Sequence, residues 1–286
     1  MKHYKLILTL ICLIAGLSAS AQTQKDVKAR VMTFNIRQEN NGDGCNNWEM
    51  RFLQVGKFLI KNKVDIVGMQ EVKHIQLTDL KNMLTDYDCT GVARDDGKTQ
   101  GEYNPIFYNK NKYKLLRSQT FWLSETPETP STSWGSACRR IATWAILQDI
   151  VTKKSIMVLN THLDHVSQLA RLNGATLIKE KLGRMLNDLP IVVMGDLNIT
   201  DDNPAYSKIA NAIFPLNDVW KTTSSKKGKN YTFHDFGKIS PQDGEKIDYI
   251  FTSFKIKVRK TVILDTAIDK ERFLSDHNAH YADIVF

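Results

Sequence analysis

The segment "IVVMGDLNIT" (191–200) carries four apolar residues and a glycine straight into Asp196, Leu197 and Asn198. Strand residues two apart share a face, so Asp196 and Asn198 project together. The same holds for His162 and Asp164 at the end of "SIMVLNTHLDH" (155–165). Four more strand borders end in comparable side chains: Asn35, Glu71, Asp248, and Asp276 with His277. Each has an ordinary explanation when taken alone. Asp-x-Asn after a strand commonly caps a turn or helix, and a lone histidine is commonly structural. Six such clusters, all carboxylate, amide or imidazole, point instead to one site at the sheet ends.

The chemistry follows from the inventory. Glu71, Asp196, Asp248 and Asp276 are hard oxygen donors with no cysteine among them, which suits Mg²⁺ or Mn²⁺ better than zinc. His162 and His277 can donate to anionic oxygens, and a histidine backed by a carboxylate can act as a base or meet developing charge. Asn35 and Asn198 can orient water or a phosphate. Together these groups fit hydrolysis of a phosphate ester by activated water. A sugar-active hydrolase built on paired carboxylates leaves the amides and histidines unexplained. The sequence has no G-x-S-x-G elbow, P-loop or dinucleotide glycine fingerprint.

Alternating strand-like and helix-like segments must position these groups. In "ARVMTFNI" (29–36), Met32, Phe34 and Ile36 fall on one face and Thr33 and Asn35 on the other. Phe52, Val55 and Leu59 predict a first helix, and Leu77, Leu80 and Leu84 a second. Strands are predicted at "VDIVGMQE" (64–71), "NPIFYN" (104–109), "SQTFWLS" (118–124), "RIATWAIL" (140–147), "KIDYIFTS" (246–253) and "HNAHYADIVF" (277–286). A third helix is expected over 167–187, through Leu169, Leu172, Leu182 and Met185, with a loop-rich stretch from 200 to about 245. Met69, Trp122 and Trp144 read as core.

The chain has 286 residues, 42% of them hydrophobic, which is ordinary globular composition. Lys2 and Lys5, the apolar run "LILTLICLIAGL" and the small residues of "SASA" predict a secretory leader over residues 1–21. Residues 22–286 are then expected to form a single domain. The apolar run is too short for a membrane anchor, so export to the periplasm or the outside is expected. Removing Lys2 and Lys5 from 39 basic residues, against 31 acids, leaves a formal charge of +6. That charge biases toward anionic partners and does not select nucleic acid. Cys45, Cys89 and Cys138 remain, and the expectation is a Cys45–Cys138 disulfide tying two cleft loops, with Cys89 free and buried. A glycan at the "NIT" sequon of Asn198 would block the site, which favours a bacterial exported protein.

In order, "TFNIR", "VGMQEV", "NTHLDH", "GDLN", "KIDYIF" and "SDH" resemble the motifs of the endonuclease/exonuclease/phosphatase superfamily. The resemblance spans about residue 29 to 286. It implies a four-layer α/β/β/α sandwich of two mixed sheets, with the site at one edge. It also implies metal-side roles for Asn35, Glu71 and Asp276, with Glu71 the principal ligand. His162 resembles the histidine that contacts the scissile phosphate, and Asp196 and Asn198 the pair that positions water and phosphate. Asp248 resembles the carboxylate that orients His277.

Some residues depart from the common pattern. Asp164 and His165 are not general to the superfamily and mark a subgroup feature. Glu102 and Tyr103 occupy a region where relatives place substrate-side residues. Arg139 or Arg140, at the end of the Pro/Ser-rich loop 121–140, could hold a phosphate bidentately. Each of these four has an equally good reading as a surface or strand residue. The expected partner is a phosphate-ester substrate, small molecule or nucleic acid undecided, and a monomer is expected. A non-catalytic binding protein on the same scaffold is the competing class, and the intact core set speaks against it.

Overall fold

The computed structural model describes residues 25–185 and 189–286. The leader expected at 1–21 lies outside the described residues, as does the end of the helix expected to reach 187. In chain order the first half contains β1 (Lys28–Asn35), α1 (Trp48–Lys61), β2 (Ile66–Gln70), α2 (His74–Met83), β3 (Tyr87–Thr90), β4 (Ile106–Asn109), β5 (Tyr113–Trp122) and β6 (Ile141–Asp149). It continues with β7 (Ser155–His162), α3 (Gln168–Arg184), β8 (Ile191–Asp196), α4 (Pro204–Asn211), β9 (Asn217–Asp218), α5 (Val219–Thr222), β10 (Lys226–Gly228), β11 (Asp248–Thr252), β12 (Lys257–Leu264) and β13 (Ala279–Val285). No described helix is long and apolar enough to cross a membrane.

Two mixed sheets pack face to face, one ordered β10-β12-β13-β1-β2-β4-β3 and the other β5-β6-β7-β8-β11-β9. β1 runs parallel to β2 and β7 parallel to β8, at the middle of each sheet. Val31, Ile66, Val158, Val192 and Ile284 fill the space between the sheets. α1 and α2 cover the outer face of the first sheet through Val55, Leu59 and Leu80, against Phe34 and Met69. α3 and α4 cover the second through Ile178, Leu182 and Ile209, against Leu159 and Val193. The result is the four-layer α/β/β/α sandwich.

Both faces of β1 are therefore covered, and its alternation does not separate core from solvent. Thr33 and Asn35 face the second sheet and are as buried as Phe34. One cluster of buried polar groups is paired across the sandwich. Asn160 on β7 donates through Nδ2 to the carbonyls of Met69 (2.7 Å) and Pro105 (2.9 Å) and accepts from Gln70 Nε2 at 2.6 Å. Gly68 makes this clip possible, because a Cβ there would stand 2.6 Å from Asn160 Cγ.

Several expectations are corrected. Leu169 does not face the core; it is 55% exposed, since Ser167 caps α3 and the buried stripe begins at Ala170. The stretch from 200 to 245 holds α4, β9, α5 and β10. β12 was unsuspected, because its basic residues project outward and interrupt the apolar pattern. Cys45 and Cys138 are both free, so the expected disulfide is absent: the Cys45 thiol lies 3.7 Å from the Glu271 carbonyl. Cys89 is free but only half-buried.

Candidate active site

β1, β2, β7 and β8 end at the same edge of the sandwich, where antiparallel β11 begins. Parallel register sets His162 beside Asp196, and antiparallel register sets Asp248 beside Asp196. Gly195 is required at this point: its φ is 151°, and a Cβ would meet the Thr161 carbonyl oxygen at 2.0 Å. Glu71 (φ 61°) and Asn198 (φ 50°) adopt left-handed backbone immediately after their strands. Such conformations cost about 1–3 kcal/mol for a residue with a Cβ, less for asparagine, and persist where the surroundings hold them.

The amide of Asn35 joins the two sheets. Its Nδ2 donates to Glu71 Oε1 at 3.0 Å and to Asp196 Oδ2 at 2.9 Å. Glu71 also accepts from the Gln38 N–H at 3.1 Å. Burial alone would raise the Glu71 pKa, but the Asn35 and Gln38 hydrogen bonds and the His277 charge hold it below the usual value. Asp196 is pushed up to about 7, by burial first and by the Asp248 charge second. Asp276 is also raised, by burial and then, against the pull of His277, by the Glu71 charge.

His277 is held at one ring nitrogen. Nδ1 lies 2.8 Å from Asp248 Oδ2 and Nε2 lies 3.8 Å from Asp196 Oδ2. Burial favours the neutral ring, yet the Asp248 and Asp196 carboxylates outweigh it and raise His277 to about 10. His162 behaves oppositely: burial, then the Arg140 and Arg94 charges, keep its pKa well below the ordinary value. Asn198 Nδ2 donates to the Leu163 carbonyl (3.0 Å), which fixes the amide, and reaches His162 Nε2 at 2.9 Å. Nε2 therefore accepts, and the His162 proton sits on Nδ1.

These groups line one cavity of about 540 Å³. It takes in Glu71, His162, Asp196, Asn198, Asp276 and His277, and also Glu102, Arg140 and His165. Asn35 and Asp248 stand directly behind, through their bonds to Asp196 and His277. Three other sequence-derived residues lie elsewhere. The Tyr103 hydroxyl donates to the Lys98 carbonyl and meets His74 Nδ1. Arg139 pairs with Asp95 at 3.7 Å. Asp164 is buried and accepts from Ser136 Oγ and from the N–H groups of Ala137, Val166 and Ser167.

Sequence reasoning missed Arg37, Gln38, Arg94, Phe233 and Asp235 on the cavity wall. Arg37 sits inside the quoted "TFNIR", and an imidazole and a carboxylate set between two aromatics in a polar loop ("TFHDF") were a usable signal for Phe233 and Asp235. Arg51 was also missed. It is 1% exposed and donates to the carbonyls of Asn46, Ile36, Leu274 and Arg37, which anchors the chain beside both Asn35 and Asp276.

Two sets of groups could hold a cation. Asp196, Asp248 and His277 present ligand atoms within 4.8 Å of one another. There the His277 ring, hydrogen-bonded to Asp248, competes with a cation for the carboxylates. Glu71 and Asp276 are a better fit: Asp276 is buried and Glu71 half-buried, the Glu71 charge raises the Asp276 carboxyl, and the Arg37 guanidinium, 3.9 Å from Asp276, is bonded to Asp43. All donors there are oxygens, as a hard divalent ion requires.

The defining pattern of the Endonuclease/Exonuclease/phosphatase family matches residues 32–277. The chain belongs to this family. Among solved structures of the family, an endonuclease/exonuclease/phosphatase from Bacteroides vulgatus is 46% identical, covering 90% of this chain and 98% of that one, with a TM-score of 0.87. A mannosyl-6-phosphatase from Bacteroides thetaiotaomicron VPI-5482 is 31% identical over 90% of this chain and all of that one, with a TM-score of 0.84. An uncharacterized protein of Acanthamoeba polyphaga mimivirus is 27% identical over 217 residues, 71% of this chain and 79% of its own length.

Proposed function

We propose that this member of the family is a phosphoester hydrolase that uses Mg²⁺ or Mn²⁺ held by Glu71 and Asp276, with Asn35 on the metal side orienting Glu71 through its amide nitrogen. The observation that carries the reading is the Asn35 amide, bonded at once to Glu71 and Asp196, with the His277–Asp248 pair beside it. When bound, the ion would act as a Lewis acid on a phosphoryl oxygen. Asp196 accepts a proton from the attacking water, and its elevated pKa suits a general base near neutral pH. The Asn198 amide oxygen orients the attacking water, His162 holds the Asn198 amide in place, and the His277 imidazolium meets the charge that develops on the phosphate. The water oxygen bonds to phosphorus, the bond to the leaving oxygen breaks, and that oxygen takes a proton from solvent.

The likeness to a protein named mannosyl-6-phosphatase supports a small phosphate ester as the first substrate to try. Residues 22–286 act as one catalytic unit in this reading, exported by the leader at 1–21. The test is turnover of sugar phosphates, inositol phosphates, sphingomyelin, RNA and supercoiled DNA with Mg²⁺ or Mn²⁺ and with EDTA. Metal-dependent release of phosphate or cleavage of a diester is expected. Equal turnover in EDTA, or none on any ester, removes the proposal.

A further inference from the structure

The cavity lining mixes acids, Glu71 and Asp276 among them, with three guanidinium groups. Arg37 is bonded to Asp43 and Arg94 to Glu102, whereas no carboxylate hydrogen-bonds to Arg140 among the described residues. Arg140 is 6% exposed, an unusual degree of burial for a guanidinium. Its Nε side faces Asp164 Oδ2 at 3.6 Å, and Nη2 lies 2.8 Å from His165 Nδ1. Nη1 has no acceptor among the described residues.

The bond to His165 fixes a tautomer. A guanidinium has no lone pair to offer, so His165 Nδ1 must accept, and the ring proton sits on Nε2. Arg140 Nη1 and His165 Nε2 are thus two N–H donors carried by residues of the cavity wall, with the guanidinium beside the buried Asp164 carboxylate. Arg140 and His165 line the same cavity as His162 and Asp196, which places the fork near the reacting centre.

The geometry points to Arg140 and His165 as the pocket for the third terminal oxygen of a phosphomonoester, which makes the protein a phosphomonoesterase. This inference rests on the phosphoester reading above and narrows it. A monoester near neutral pH carries between one and two charges and exposes three terminal oxygens. A diester has two such oxygens, a single charge, and an alkylated ester oxygen in place of the third. That ester oxygen carries no charge and is a poor acceptor, and its substituent crowds the fork, so a bound diester strands a buried guanidinium, and a site built around a polar partner rejects analogues lacking it by large factors.

The test compares para-nitrophenyl phosphate with bis-para-nitrophenyl phosphate under Mn²⁺, together with competitive inhibition by inorganic phosphate and by dimethyl phosphate. The wild type should prefer the monoester by about 10²-fold or more in kcat/KM and bind phosphate more tightly than dimethyl phosphate. Arg140→Gln should lose at least about tenfold more on the monoester than on the diester and weaken phosphate inhibition, with Arg140→Lys in between. His165→Asn alters an exposed side chain, so it keeps the comparison open if the Arg140 variants fold poorly, and it should shift the ratio the same way. Diester turnover equal to or better than monoester, or equal losses on both in these variants, overturns the monoester assignment while leaving a phosphoesterase. If neither ester is hydrolysed and neither anion inhibits, the phosphoester reading falls and this inference with it.

Discussion

Asn35 Nδ2 lies 2.9 Å from Asp196 Oδ2, a single hydrogen bond that joins the first sheet to the second at the reacting edge. The same nitrogen serves Glu71, so one amide sets the spacing between the proposed metal side and the proposed base. Asn35→Ala should lower kcat by about 10²-fold, since a misplacement near 1 Å has that effect. Its stability cost should be only about 1–2 kcal/mol. Asn35→Asp, similar in size but charged, should be worse than alanine, because a third carboxylate then faces Glu71 and Asp196. Steady-state rates and urea melts of the two variants decide this.

Metal binding has a readout that does not depend on turnover. A divalent ion at about 100 times its Kd should stabilise the fold by about 2.7 kcal/mol. Tm should therefore rise on adding Mn²⁺ to the EDTA-treated protein. Glu71→Gln should remove both that rise and the metal-dependent turnover. A full Tm response in Glu71→Gln would assign the ion to other ligands, Asp196 and Asp248 first.

His277 and Asp248 should behave as a unit. His277→Ala should cost about 10²–10⁴-fold in rate. Asp248→Asn should cost less, because it orients the ring without meeting the substrate. Adding it to His277→Ala should change little, as residues acting together give strongly non-additive losses. Fully additive losses would separate the pair.

The metal-free fold should lose stability as pH rises. Asp196 is raised to about 7, whereas an unfolded aspartate titrates near ~3.9. The folded state thus keeps a proton that the unfolded chain has released. That contribution is complete below about pH 4 and is lost as pH climbs through about 7. His277, raised to about 10, adds a decline of the same sign between roughly pH 6.5 and 10. Tm in EDTA should fall across this range. Asp196→Asn should be inactive, yet flatten the lower part of the curve and melt above wild type near neutral pH.

Arg51 is a structural prediction. Arg51→Met fills the space but leaves four backbone carbonyls without their donor. The expected loss is about 2–4 kcal/mol, read from urea melts. Rates should fall as well, because the carbonyls that Arg51 grips flank Asn35 and Asp276.

The sequence made the sheet-end residues legible because each sits in an unbroken local run. "GDLN" and "NTHLDH" carry their own strand and their own polar end, so periodicity alone placed Asp196 and His162 at an edge. Arg94 and Arg51 were invisible for the opposite reason. Arg51 joins residue 36 to residue 274, and no local pattern encodes a contact of that range. The cysteines misled because their loop positions suggested a shared side, whereas Cys45 packs toward Glu271 and Cys138 toward the cavity. Leu169 misled because a helical stripe read from leucines alone starts one residue before the helix turns inward.

The clip between Gln70, Asn160 and the carbonyls behind Gly68 lies in the dry interior, out of any substrate's reach. It nonetheless aligns the sheet bearing Asn35 and Glu71 with the sheet bearing His162 and Asp196. Apolar packing between the sheets is close but non-directional, and the buried amide lattice adds directional bonds that fix one register. Fidelity of the reaction is thereby delegated to residues deep in the molecule, and a map of activity-altering substitutions should run inward from the cavity along the seam between the two sheets.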